Sequence, residues 1–151
     1  MRAAFPGTVV SAGEYPAGFV AALEQAPAVP VIYTGALENH PRVLDRIAGR
    51  RQLLGNSAAV CARLRDPAQL RARLSVRGIN YPRIFGVGAT APAVGHWLHK
   101  PERSGGGLGI GIAQPGTPAA PGHYLQEFMP GESFSGVYVA DDAGAKLLGV
   151  T

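Results

Sequence analysis

One cysteine, Cys61, in 151 residues excludes a disulfide framework and a cluster of thiolate metal ligands. Long apolar runs are missing too: nothing approaches the roughly 18 residues that a membrane-spanning helix needs. The opening Met1-Arg2-Ala3-Ala4-Phe5-Pro6-Gly7 breaks at Pro6 and Gly7 before an apolar signal core can form. No secretory leader is therefore expected, and a cytoplasmic setting is the default. Charged residues make up only 16%, below the usual share of about a quarter.

Glycine and proline are abundant, at 21 and 13 residues, so loops must be plentiful. Apolar residues still reach 46%, enough for a packed core, whereas wholesale disorder needs low hydrophobicity and high net charge. At about 150 residues per domain the length allows one domain or parts of two. The net charge of +4 is unevenly spread. Eleven arginines face five acids before residue 84, whereas Lys100, Arg103 and Lys146 face five acids after it. Such a split suggests two units with different tasks. The arginines at 63, 65, 71, 73 and 77 would carry a nucleic-acid reading through phosphate neutralisation. No aromatics interleave with them and no recognised nucleic-acid-binding signature accompanies them, so a solvated helix face is the simpler account.

In the first half, Tyr15 to Glu24 reads as a short helix closed by Pro27 and Pro30. Val29 to Thr34 is apolar and β-branched enough for a buried strand ended by Gly35. After Asn39 as a candidate N-cap and Pro41 in the first turn, Val43, Leu44, Ile47 and Ala48 recur at helical spacing up to Gly49. Gln52 to Asn56 reads as a second strand. Ser57 caps a helix through Arg65, and Asp66-Pro67 starts another, with Leu70 and Leu74 facing inward until Gly78. This alternation predicts an α/β unit with a parallel sheet. Its opening strand is not evident in residues 1 to 12, as if the unit were incomplete at that end.

Beyond Tyr81-Pro82 the character changes to an antiparallel pattern. Trp97 to Pro101 reads as a strand end, Ser104 to Gly109 as a glycine loop and Ile110 to Ala113 as an apolar segment. A proline-rich loop over 114–122 then leads to a strand from Tyr124 to Met129. Phe134–Ala140 and Ala145–Val150 form a hairpin across Asp141-Asp142-Ala143-Gly144.

A glycine run lets several backbone N–H groups converge on an anion, and a lysine just before it adds a point charge. Lys100 with Gly105, Gly106, Gly107 and Gly109 offers both, though the pattern matches neither common phosphate fingerprint. A flexible linker is the plainer reading of such a run. His96 and His99 are three apart, which puts them on opposite faces of a strand. His123 reads as a loop residue, and Cys61 as inert packing. Glu38-Asn39-His40 follows a strand's C-terminal end, where open α/β sheets bind ligands; it either shapes a cleft or caps a helix.

The order of these signals resembles the small nucleotide-gripping subdomain of the ATP-grasp superfamily: a strand end with Lys100, a glycine loop, then Leu125-Gln126-Glu127-Phe128-Met129-Pro130-Gly131 leading into a hairpin. Val31 to Pro41 and Leu53 to Asn56 look like the domain that precedes the grasp, and Gly78 to Pro82 like its lead-in. The resemblance implies an incomplete Rossmann-like parallel α/β unit over 1–80, followed by the antiparallel ATP-grasp small subdomain over 81–151. Within the superfamily the chain looks closest to carboxylate–amine ligases akin to the tyramine–glutamate ligases of methanofuran synthesis.

Carried over by position, the resemblance implies that Lys100 touches the α- or β-phosphate of ATP. Ser104, Gly105, Gly106, Gly107, Leu108 and Gly109 would close over the triphosphate. The backbone of Glu127, Phe128 and Met129 would read the adenine edge, and Glu132 or Ser133 would meet the ribose. Glu132 lies one residue early for the family's ribose carboxylate, and Ser133 cannot replace its charge. Pro67 stands where many members carry an early phosphate-binding lysine. The carboxylates that hold Mg²⁺ lie, in the family, beyond the hairpin where this sequence stops; Asp141 and Asp142 read as turn residues. The implied reaction is phosphorylation of a substrate carboxylate by Mg-ATP and capture of the acyl phosphate by an amine, with this chain alone expected to be inactive. The alternatives are a non-catalytic nucleotide-binding or interaction module and, less favoured, a basic nucleic-acid-binding module.

Overall fold

The structure, a computed structural model, describes Gly7 and residues 9–151. The Met1–Pro6 stretch read above for a leader lies outside the described residues, as does Thr8. The described residues are mixed α and β, with four α-helices, a four-stranded antiparallel sheet and a two-stranded one.

Helices occupy the first half: α1 (Gly18–Gln25), α2 (Pro41–Ala48), α3 (Ala58–Leu64) and α4 (Pro67–Ser75). Helix α2 follows from its pattern, because Val43, Leu44 and Ile47 fall on one face and Pro41 supplies a preset φ in the first turn. That face packs with Val20 of α1, Leu37, and Ala58 and Cys61 of α3 into a single buried cluster. Burying a side chain such as Leu44, which is fully enclosed, contributes roughly 1.5–3 kcal/mol. Cys61 lies in this core, with its sulfur 3.2 Å from the Tyr33 hydroxyl, and burial holds that phenol well above its usual range.

Caps at α3 and α4 follow the sequence closely. Ser57 accepts from the Val60 amide, and Asp66 Oδ1 accepts from the amides of Ala68 and Gln69. Beyond α4 the amides of Gly78 and Ile79 return to the carbonyls of Ser75 and Leu74, the paired bonds of a Schellman ending.

The parallel sheet expected here is not built. Val29–Thr34 and Gln52–Asn56 meet only as one parallel bridge, Val31 to Leu53, held by Val31 N–H to Gln52 O and Leu54 N–H to Val31 O, each 2.8 Å. The Val29 N–H is turned back to the Pro27 carbonyl at 2.8 Å, and a 3₁₀ turn over Gly35–Asn39 follows immediately. Asn39 is also not the cap of α2. That position falls to His40, which makes no side-chain capping bond, because the 3₁₀ turn carries Asn39 away from the helix axis. Nor do Leu70 and Leu74 enter a core: α4 buries no residue fully.

In the second half β1 (Ile84–Phe85), β2 (Trp97–Pro101), β3 (Gly111–Ala113) and β4 (His123–Glu127) form an antiparallel sheet in the order β1-β4-β2-β3. His123 therefore opens a strand rather than lying in a loop; it pairs with Pro101. Side chains alternate across the sheet. One face carries Trp97, Leu125 and Ala113, buried with Ala91 and Ala119 from the two loops that bridge at Thr90 and Pro118. The other face carries Leu98, Lys100, Tyr124 and Gln126, set by the pairs Leu98–Gln126 and Lys100–Tyr124.

Strands β5 (Gly136–Asp141) and β6 (Gly144–Val150) form the expected hairpin. Asp141 Oδ1 accepts from the amides of Ala143 and Gly144, so Asp141 is a turn residue, as its sequence context indicates. Among the described residues no helix is long and apolar enough to cross a membrane.

Candidate functional site

Two adjoining clefts lie where the helical half meets the Lys100–Tyr124 face of the sheet. The smaller, about 370 Å³, is lined by Lys100, Tyr81, Tyr124, Arg65 and the glycine loop from Ser104 to Gly107. The larger, about 780 Å³, runs between α4 and the β1 edge. Both volumes fall within the roughly 300–1,000 Å³ of small-molecule sites. Glu38, Arg65, Pro67, Glu102 and Tyr124 line both clefts.

Lys100 is placed by strand alternation, since an odd position on β2 would point into the Trp97 core. Its Nζ donates to Gln126 Oε1 at 3.1 Å, and partial burial lowers its pKa from the ordinary lysine value. Burial also raises the phenols of Tyr81 and Tyr124, and at Tyr124 the neighbouring Arg65 charge opposes that rise. The ammonium thus stands in a half-desolvated setting where an anion gains more than it would in open water.

The glycine loop leaves β2 and is tied at its start to the helical half. Arg65 Nη2 donates to the Ser104 carbonyl at 2.6 Å, and Asn39 Nδ2 approaches the same oxygen at 3.4 Å. Within the loop the amides of Leu108 and Ile110 close turns on the carbonyls of Gly105 and Gly107. Those of Gly105, Gly106, Gly107 and Gly109 make no bond to protein among the described residues. Gly107 has φ +78° and Gly109 φ +76°, and a Cβ on Gly109 would sit 2.9 Å from Pro101 Cγ. Only glycine meets both conditions at 109.

Of the positions singled out in the sequence, the structure thus brings together Lys100, Ser104, Gly105, Gly106 and Gly107. Leu108 is exposed and Gly109 packs on Pro101 outside the cleft lining. Glu127 points to the opposite face of β4. Its carboxylate takes a forked bond from Arg83 (Nε to Oε2 3.1 Å, Nη2 to Oε1 2.8 Å) and a further one from the Arg83 amide. The Arg83 guanidinium in turn lies 5.1 Å over the Trp97 ring. Two backbone donors of the 127–129 segment are engaged, Glu127 N–H with Arg83 O and Phe128 N–H with His96 O, both at 2.8 Å. The Phe128 and Met129 side chains are exposed. Glu132 and Ser133 are exposed beyond β4 and line neither cleft.

Sequence reasoning weighed Arg65 only among the arginines of the nucleic-acid reading and passed over Tyr81 and Tyr124 as site residues. Arg65 carried a signal in its place, just after α3 and two residues before Pro67. Tyr124 carried none without the β2–β4 register that sets it beside Lys100. Among the described residues no three His, Cys, Asp or Glu side chains converge as a metal site; the rings of His99 and His123 stand 6.5 Å apart without a third partner. No protein-family model, curated protein or solved structure matches the chain.

Proposed function

We propose that the chain is the ATP-holding portion of an ATP-dependent carboxylate–amine ligase of ATP-grasp type. One observation carries the reading. A half-buried lysine and a glycine loop with three uncommitted amides, those of Gly105, Gly106 and Gly107, line one cleft, and a guanidinium ties that loop to the opposite wall. Such an arrangement suits a polyphosphate, because a point charge and converging N–H dipoles are what phosphate oxygens require.

ATP fits these donors: Lys100 would meet a phosphate oxygen, and the amides of Gly105 to Gly107 would bind its neighbours. When bound it would supply the phosphoryl group that activates a carboxylate. The protein's own part is positioning and neutralisation of charge. Lys100 leaves Gln126 for the phosphate, the loop folds down about its anchored end at Ser104, and Tyr81 and Tyr124 exclude water from one side. Mg²⁺ is a hard cation held by carboxylates and phosphate oxygens, and among the described residues no three ligating side chains converge to hold it. In this reading residues 1–80 belong to the domain preceding the grasp and 81–151 to its small subdomain.

The test is ATP affinity of the chain and of Lys100→Ala by calorimetry. The expected result is binding weakened about tenfold or more, since charge-assisted hydrogen bonds contribute roughly 1.5–3 kcal/mol. Equal affinity would favour the rival reading, a binding or interaction module in which the glycine run is a linker.

A further inference from the structure

We infer that Gln126 is a positioning residue of the smaller cleft: it gives the Lys100 ammonium a neutral resting place, which keeps that charge off the cleft's carboxylates and ready for an incoming polyphosphate. The inference rests on the phosphate contact proposed for Lys100 and names the residue that governs it.

Strand register sets the pair. Lys100 lies across from Tyr124, and Leu98 across from Gln126, on β2 and β4. Lys100 and Gln126 are therefore diagonal neighbours on one face of the sheet, within reach of each other's long side chains. Lys100 Nζ donates to Gln126 Oε1 at 3.1 Å. An ammonium has donors only, so the amide has to present its oxygen. Gln126 lines neither cleft, and its influence on a ligand there passes through the lysine.

The surroundings of Lys100 show why an amide matters. The ionisable groups that share the lining of the smaller cleft with it are Glu38, Arg65, Tyr81, Glu102 and Tyr124. Glu38 stands 3.6 Å from Arg65, and burial raises the pKa of both phenols, which keeps them neutral. Glu102 has no ion-pair partner among the described residues, although it stands two positions beyond Lys100 in the same lining. The lysine takes the amide instead. Burial alone lowers its pKa, with no carboxylate acting against that shift. Leaving an amide for a phosphate costs less than leaving a carboxylate, because an ion pair adds Coulomb attraction, most of all where water is partly excluded.

The experiment measures binding of inorganic tripolyphosphate to the full chain and its variants by calorimetry, and follows the Lys100 side chain by NMR through alkaline pH. Lys100→Ala should weaken binding about tenfold or more. Gln126→Glu should weaken it about as much while raising the lysine pKa, since an opposite charge favours the ammonium; a merely structural loss would not raise it. Gln126→Met should weaken binding about three- to tenfold as the ammonium turns to Glu102. Adding Glu102→Gln to Gln126→Met should restore most of the affinity, whereas Glu102→Gln alone should change it less than about threefold. Wild-type affinity in Gln126→Glu, an unchanged lysine pKa there, or no rescue by Glu102→Gln would overturn the inference. So would a gain in Glu102→Gln alone as large as the rescue. If any of these occurs while Lys100→Ala still weakens binding, the nucleotide reading stands without this one; wild-type affinity in Lys100→Ala would remove both.

Discussion

Arg65, at the end of α3, donates from Nη2 to the backbone carbonyl of Ser104 at 2.6 Å, across 39 positions of sequence. Its other terminal nitrogen lies 3.6 Å from Glu38, and both side chains are mostly buried, at 28% and 32% exposure. One guanidinium therefore holds the start of the glycine loop and the wall opposite it. Arg65→Met should cost about 1–3 kcal/mol in chemical denaturation, the usual penalty for leaving a buried polar group unpaired. Amide exchange over residues 105–109 should accelerate with it. Arg65→Lys should recover only part, because a single ammonium cannot reproduce the planar fork that reaches both partners. Unchanged exchange in the loop would show that the anchor lies elsewhere.

Lys100 gives a pH dependence with a definite sign. Burial lowers its pKa from 10.5, while an anion beside it would favour the charged form and raise the pKa again. Affinity for ATP should therefore be constant near neutrality and fall as pH rises through the lowered pKa of the free protein, below the ordinary lysine range. Proton uptake on binding should appear over the same interval, measurable by calorimetry in buffers of different ionisation enthalpy. In Lys100→Arg, which stays charged throughout, the fall should vanish. A fall that persists there belongs to another group.

Helical spacing, caps and turn residues made α2, α3, α4 and the hairpin legible, because each is decided by neighbours a few positions apart. Ser57, Asp66-Pro67 and Asp141 act on residues within three positions. The parallel sheet was misread for a different reason. Val29–Thr34 has the composition of a buried strand, but a strand needs partners, and the return of the Val29 N–H to Pro27 and the 3₁₀ turn at Gly35 leave it one bridge. Asn39 had the chemistry of a cap, yet the same turn delivers its amide to Ser104. The site was legible in part. Lys100 and the glycine loop lie a few positions apart in sequence and could be singled out together. Arg65 and Tyr124 join them only through tertiary placement and strand register, which residue type does not encode.

The Glu127–Arg83 clamp joins the segment leading into β1 to the end of β4, and the Arg83 side chain chiefly depresses the Glu127 pKa from 4.5. A carboxylate with a depressed folded-state pKa contributes stability that is present above the unfolded value and lost as pH falls through the folded one. Wild-type stability should therefore drop below about pH 4.5 more steeply than that of Glu127→Gln, the two curves converging in acid. The loss at neutral pH should be modest, since Arg83 is more than half exposed and solvent screens such pairs. Thermal melts across the acid range give the answer; parallel curves would mean that the clamp is not ionic.

Among the described residues strands β5 and β6 pair only with each other, and every residue in them is exposed, among them Val137, Tyr138, Val139, Leu147 and Leu148. A lone two-stranded hairpin is marginal in water, because it has no second layer on which to bury its side chains. Its amides should exchange well ahead of those of Leu98 and Leu125, whose strands have neighbours on both sides. Local opening of the hairpin then requires little more than its own hydrogen bonds to break. Tyr138→Ala should accelerate exchange in the hairpin while leaving the melting of the four-stranded sheet unchanged. Protection equal to that of β2 and β4, rising with protein concentration, would show instead that the exposed apolar residues are covered by association between chains.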